Sequence, residues 1–310
     1  MFESILGHEP IKTYLTQALA QNRLPHALLF AGLDGVGKTL FAKHLATTLL
    51  QTTLHRLETG NHPDFHPLIP EGKSGLHSIE TLRSLIDEVH SASFEAPAKV
   101  FLIQDADRMQ PAAANALLKT LEEPTPDTIL ILLTSAPTEI LPTILSRCIR
   151  LTFHPLSESD IGTLLRERGH PETLAKRSHG SIGRACEYAT QPSLEEPLFS
   201  LLSQRHSHVE MMERLEKIEE LIEDEDPLRK HRNIEAIFQT ILMWWRDQTI
   251  HSLGLSPSLL FFPQVPPVSH PLASLETIQK AIQEARLAVS RNIRLSVSLH
   301  QTLCSNLTLS

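Results

Sequence analysis

At 310 residues the chain is long enough for two or three domains, each with its own core. Its 41% hydrophobic and 21% charged residues are the composition of a soluble globular protein, and no apolar run reaches the length of a membrane span. A net charge of −8 argues against a protein that grips nucleic acid alone through the phosphates, so any nucleic acid would be met as one member of an assembly. Three distant cysteines, Cys148, Cys186 and Cys304, make neither a disulfide framework nor a zinc set, and fit a reducing cytosol. The start, Met1 to Ile5, has no basic segment leading into an apolar one, so no signal peptide is expected. Seventeen histidines are scattered without ligand spacing, and nearly all of them read as surface residues.

In chain order, Ala27-Leu28-Leu29-Phe30 is a short apolar run that reads as a buried strand. It leads into Gly32-Leu33-Asp34-Gly35-Val36-Gly37-Lys38-Thr39, which fits the phosphate-loop pattern G-x-x-x-x-G-K-[S/T] at every fixed position. Glycines let backbone N–H groups turn inward onto phosphates, Lys38 reaches the outer phosphates, and Thr39 offers a hydroxyl to a magnesium ion. Leu40 opens the helical run that follows. A strand, a glycine loop and a helix start form an anion site. The ligand expected there is ATP or ADP with Mg2+, held by Gly32, Gly35, Val36, Gly37, Lys38, Thr39 and Leu40.

The polar stretch 59–67 reads as a loop in which His62-Pro63-Asp64 forms a turn, Leu68-Ile69 as a short strand, and residues 70–75 as another loop. Helical spacing runs from Ser78 to His90. Lys99 to Ile103 is an apolar strand with a cationic start. Residues 111–123 make a helix stopped by Pro124, Thr128 to Leu133 the next buried strand, and Leu151 to Phe153 the last. This alternation is that of a parallel sheet covered by helices. Residues 157–168 and 172–190 read as two helices, and Gln191-Pro192 as a boundary. The remainder is helical, broken by a proline-rich connection at 261–267.

A nucleoside triphosphatase needs a carboxylate at the end of a neighbouring strand for the magnesium shell, often with a second to activate water. Here Ile103 is followed by Gln104-Asp105-Ala106-Asp107. In one register Gln104 holds the metal position and Asp105 the water position. Shifted by one, Asp105 meets the metal and Ala106 stands where the base should be. Either register damages one carboxylate role, and a solvated turn is the plain alternative. Thr134 and Ser135 end the next strand, where Thr134 could touch the outer phosphate. In Ser146-Arg147-Cys148, an arginine on a domain edge could serve phosphates bound by a neighbouring subunit, or make a surface ion pair. The acidic run 216–226 reads as a solvated helix face. Trp244-Trp245 reads as helix core or as an interface between subunits, having too few basic neighbours for base stacking.

Taken together, Arg23 to Phe30, the phosphate loop, His62-Pro63-Asp64, Asn115-Ala116-Leu117-Leu118-Lys119-Thr120-Leu121-Glu122-Glu123-Pro124, Leu141 to Cys148 and Ser178 to Ala185 resemble the clamp-loader subunits of bacterial DNA polymerase III, and their delta-prime branch most closely. The resemblance implies an α/β P-loop domain of the AAA+ (RecA-like) type at 1–153, a small helical lid at 154–191 and an all-α collar at 192–310. It further implies a cytoplasmic heteropentamer with gamma/tau and delta subunits that loads a sliding clamp onto primed DNA, with no membrane contact. Arg147 would then be an arginine finger acting in trans, and Asp105 a degenerate acid. Gln51 to Asn61 lacks the four cysteines that bind zinc in many relatives, so no zinc site is expected. The neutral Gln104, and the lack of a tau-type extension after Ser310, favour delta-prime over an ATP-hydrolysing gamma/tau-like motor. An assembly scaffold that binds no nucleotide is the further alternative.

Overall fold

A computed structural model describes residues 2, 5–70, 76–123, 125–190, 194–223, 227–269 and 271–306. The expected loop at 71–75, the stop at Pro124, the boundary at Gln191-Pro192 and the end of the acidic run at 224–226 fall outside them. The chain divides into two compact units, Met1–Thr190 and Gln191–Ser310.

The first unit runs α1 (Glu9–Ala20), β1 (Ala27–Gly32), α2 (Lys38–Leu49), α3 (Leu54–Glu58), β2 (Phe65–Leu68), α4 (Ile79–Val89), β3 (Lys99–Ile103), α5 (Pro111–Glu122), β4 (Thr128–Thr134), α6 (Pro142–Leu145), β5 (Ile149–Phe153), α7 (Glu158–Glu167), α8 (Leu174–Arg177) and α9 (Ile182–Thr190). The five strands form one parallel sheet in the order β2-β3-β4-β1-β5. Strands β1, β3 and β4 are apolar almost throughout because both of their faces are covered by helices. On one face lie Phe30, Phe41, Leu45, Val100 and Phe153, and on the other Leu29, Leu82, Phe101, Leu117 and Ile144. Each such side chain contributes about 1.5–3 kcal/mol on full burial.

Lys99 opens β3 with a buried ammonium, which donates to the carbonyls of Glu88, Val89 and Ser91 and so closes the end of α4. The turn at His62-Pro63-Asp64 is built by the Asp64 N–H donating to His62 Nδ1 at 3.2 Å. The buried Asp64 carboxylate accepts the amides of Phe94, Glu95 and Ala96 at 2.6, 2.9 and 2.9 Å. Burial alone would raise its pKa, but those three donors hold it below the usual value.

Several readings change. The strand expected at Leu68-Ile69 is Phe65–Leu68: Phe65 is buried, and pairing with β3 outweighs the polar look of His66 and Pro67. The segment 172–190 is two helices, because the chain reverses at His179 and Gly180, both at positive φ. Helices α7, α8 and α9 enclose a small core of Ile161, Leu165, Ala175 and Ala185. The histidines are not all superficial, since His62, His77 and His206 are buried.

The second unit is helical: α10 (Glu195–Ser203), α11 (His208–Leu221), α12 (Pro227–Ser252), α13 (Leu275–Ser290) and α14 (Leu295–Asn306), with one 3-10 turn at Pro257–Leu259. Trp244 and Trp245 lie fully buried in its core, as their apolar neighbours led one to expect. Trp245 Nε1 donates to the Ala273 carbonyl at 2.8 Å. The acidic run departs from a purely solvated face. Glu219 is mostly buried, accepts the Leu295 N–H at 3.0 Å and pairs with Arg294 at 3.1 Å, thereby capping α14.

Candidate functional site

Because all five strands run the same way, their carboxyl ends share one edge of the sheet, where α/β folds bind ligands. That edge brings together the loop after β1, Gln104-Asp105 after β3 and Thr134 at the end of β4.

The loop holds its shape by engaging its own carbonyls. Lys38 Nζ donates to Gly32 O at 2.6 Å and Leu33 O at 2.9 Å. Ser181 Oγ donates to Asp34 O at 2.6 Å, and Gly183 N–H to Gly35 O at 3.1 Å. His8 Nε2 meets Val36 O at 3.0 Å. With those carbonyls taken, the amides of residues 34–37 donate to none of the described residues, which is the condition for a backbone anion cradle. Gly37 caps α2 at φ 110°, a conformation that L side chains rarely adopt. Gly35 sits at φ 74° with Gly183 so close that a Cβ would fall 2.8 Å from the Gly183 Cα. Val36 is buried, Thr39 half-buried at the first turn of α2, and Leu40 exposed.

Lys38 is 7% exposed and lies 3.4 Å from Asp34. Burial pushes its ammonium below the usual value, and Asp34 opposes the shift. Asp105 stands at φ 47° ahead of the 3-10 turn Ala106–Arg108. Burial raises its pKa, with the charges of Asp34 and Asp107 adding to the rise. Gln104 is fixed through its backbone: its N–H donates to Leu68 O at 2.9 Å, and its carbonyl accepts from His77 Nε2 at 2.6 Å. The Thr134 hydroxyl donates to Asp107 and accepts the Ala136 N–H at 3.0 Å, so its proton points into the protein rather than toward the loop.

Arg147 lies elsewhere. It precedes β5, whose Ile149 pairs with Leu28 and whose Phe153 pairs with Gly32. The arginine is therefore at the amino edge of the sheet, a strand length of roughly 16 Å from the loop at about 3.3 Å per residue. There it pairs with Glu122 at the end of α5 and donates to Thr143 O at 2.9 Å.

Sequence reasoning missed the residues that close over the loop: His8, Ser181 and Gly183. Ser181 also accepts the Arg184 N–H at 3.1 Å and so starts α9. The paired glycines around Ser181-Ile182 were a local sign of close backbone approach, but their partner is 147 residues away.

Residues 7–157 match the family described as DNA polymerase III, delta subunit. The chain is 33% identical over 214 residues to the DNA polymerase III subunit delta' of Bacillus subtilis, covering 63% of this chain and 64% of that protein. It is 37% identical over 137 residues to subunit delta' of Pseudomonas aeruginosa, covering 40% of this chain and 42% of that one. Subunit tau of Escherichia coli is 32% identical over 207 residues, 62% of this chain and 32% of the relative. The chain thus spans less than two thirds of each of these relatives. Among solved structures it aligns with a gamma subunit-related protein of Thermotoga maritima at 15% identity and a TM-score of 0.48, over 94% of this chain and 97% of that one. Through residues 7–157, just under half of its length, the chain is thus similar to the delta-prime and clamp-loader subunits of bacterial DNA polymerase III.

Proposed function

We propose that this chain is a delta-prime-like clamp-loader subunit that binds ATP or ADP with Mg2+, hydrolyses it poorly, and lends Arg147 to a neighbouring ATPase subunit. In this reading the chain joins gamma/tau and delta subunits in a heteropentamer that places a sliding clamp on primed DNA. Residues 154–191 are then the lid and residues 192–310 the collar.

The observation that carries the reading is the separation of the two halves of the chemistry. A phosphate loop with free amides sits at one edge of the sheet and Arg147 at the other. An arginine a full strand away from its own loop can reach phosphates only if another molecule holds them. The residues present fit a nucleotide: Lys38 and the amides of residues 34–37 would hold the phosphates, and Thr39 the metal. A bound magnesium ion would supply charge neutralisation between the phosphates. Gln104 offers that ion's water shell a hydrogen-bond acceptor without charge, which supports slow turnover. Asp105 is the one observation on the side of an active motor. Its raised pKa suits a group that must take a proton.

Two measurements test this. The isolated chain is titrated with ATP and with ADP in the presence of magnesium, alongside a phosphate-release assay. Binding without appreciable release is expected. Rapid release would make the chain a motor, and absence of binding a scaffold. In the assembled complex, Arg147→Ala should leave assembly intact and slow the site it serves by about 10³-fold or more. Unchanged turnover would remove the trans role.

A further inference from the structure

The second unit contains a group of ligating side chains that plays no part in the nucleotide reading. His208 stands in the first turn of α11, and Met211 lies one turn on and fully buried. His300 and Cys304 are four residues apart on α14 and share a face. Packing of α11 against α14 brings them together. Cys304 Sγ is 3.4 Å from His208 Nδ1, 3.4 Å from His300 Nε2 and 3.8 Å from Met211 Sδ. Among the described residues, His208, His300 and Cys304 are the one group of three or more His, Cys, Asp or Glu whose ligand atoms all fall within 4.8 Å of one another.

The three separations from Cys304 Sγ are those of ligands around a metal ion. With metal–sulfur bonds of about 2.3 Å and metal–nitrogen bonds of about 2.0 Å, the edge of a tetrahedron from sulfur to nitrogen is about 3.5 Å and from sulfur to sulfur about 3.8 Å. The donor set is also selective. A thiolate with two imidazoles suits borderline and soft ions, and a thioether is a poor ligand for hard ones such as magnesium or calcium.

We propose that His208 Nδ1, His300 Nε2 and Cys304 Sγ, with Met211 Sδ at the fourth corner, bind a thiophilic metal ion of the zinc(II)/copper(I) class and tie α11 to α14. On binding, the Cys304 thiol gives its proton to solvent and its sulfur forms the bond to the metal, with no change of oxidation state. The thioether tilts the site toward copper(I), since it adds little to zinc(II) binding.

The full chain, freed of any affinity tag and reduced, is titrated with cobalt(II) as a spectroscopic stand-in for zinc(II). It is then titrated with zinc(II), and anaerobically with copper(I), against chromophoric chelators. A sulfur-to-cobalt charge-transfer band and one equivalent of bound metal are expected. Cys304→Ser and His208→Gln should each abolish the band and weaken zinc(II) binding by more than the roughly 10–100-fold that an outer-shell change costs. His208 is exposed, so its variant tests the site even if the Cys304 change disturbs packing. Bound zinc(II) should also protect Cys304, and neither Cys148 nor Cys186, from alkylation mapped by mass spectrometry. Met211→Leu should weaken copper(I) binding while leaving zinc(II) binding unchanged. Absence of the band in the unmodified chain, or equal affinity in both ligand variants, would reduce the cluster to thiol–imidazole hydrogen bonds and overturn the proposal. Equal copper(I) affinity in Met211→Leu would strike the thioether from the ligand set.

Discussion

At the carboxyl edge of the sheet, the loop after β1 has its carbonyls held by Lys38, Ser181, Gly183 and His8. At the amino edge, Arg147 is held by a partly exposed ion pair with Glu122 and by carbonyl and hydroxyl contacts within its own turn. One edge is shaped before anything binds, and the other is loosely tethered. A cradle for phosphate gains from rigidity, because ordering it at the moment of binding would cost affinity. In the proposed trans role, Arg147 would gain from a partner that is cheap to give up, and exposed ion pairs are typically worth only about 0–1 kcal/mol.

The largest effect expected from breaking the contrast is at the rigid edge. Gly35→Val must place a branched side chain at φ 74° against Gly183. It should cost about 2–4 kcal/mol of unfolding free energy and remove nucleotide binding, read from urea denaturation and calorimetry. An unchanged denaturation midpoint would show that the loop is not pinned by residues 181–183. Next comes Gln104→Asp, which places a charge beside the metal position. Phosphate release by the isolated chain should rise at least about tenfold, equivalent to about 1.4 kcal/mol of barrier. No rise would mean that something other than the missing carboxylate limits turnover.

A smaller effect follows from acid. Burial holds His8, His66 and His77 below the ordinary histidine value of 6.5 in the folded state. The unfolded chain therefore binds more protons as pH falls through that value. The stability these groups contribute is complete above the unfolded pKa and is lost as pH drops below it. Urea midpoints should fall between about pH 7.5 and about pH 5.5, and His77→Gln should flatten the slope. A midpoint that rises on acidification has the wrong sign for these groups. The smallest effect is at the loose edge. Glu122→Gln should change stability by less than about 1 kcal/mol, while leaving Arg147 freer for the trans role proposed for it. A larger loss would show the tether to be structural.

The carboxyl edge was largely legible in the chain itself, because its signals are local. Gly32 to Thr39 is contiguous, and the apolar runs on either side can only be buried strand and helix. Strand β2 was less so, since Phe65-His66-Pro67-Leu68 shows no clear alternation and owes its state to pairing with β3. Thr134 was legible as a strand end, but not as a partner of Asp107 from another strand's loop. Ser181 over Asp34, Glu219 at the start of α14 and Cys304 beside His208 are contacts between residues 147, 76 and 96 positions apart. No periodicity records them. For the last of these, the i, i+4 spacing of His300 and Cys304 was the only local trace.

The buried ammonium of Lys38 has a practical consequence for chemical labelling. An amine that rests on two loop carbonyls and an aspartate has no free face for an acylating reagent, and the same holds for Lys99 behind the end of α4. Lys99 should stay unmodified as long as the domain is folded, whereas Lys38 is shielded only while the loop keeps its present shape. The ratio of modification at these two lysines is therefore a built-in gauge of the loop, readable by mass spectrometry without any added probe.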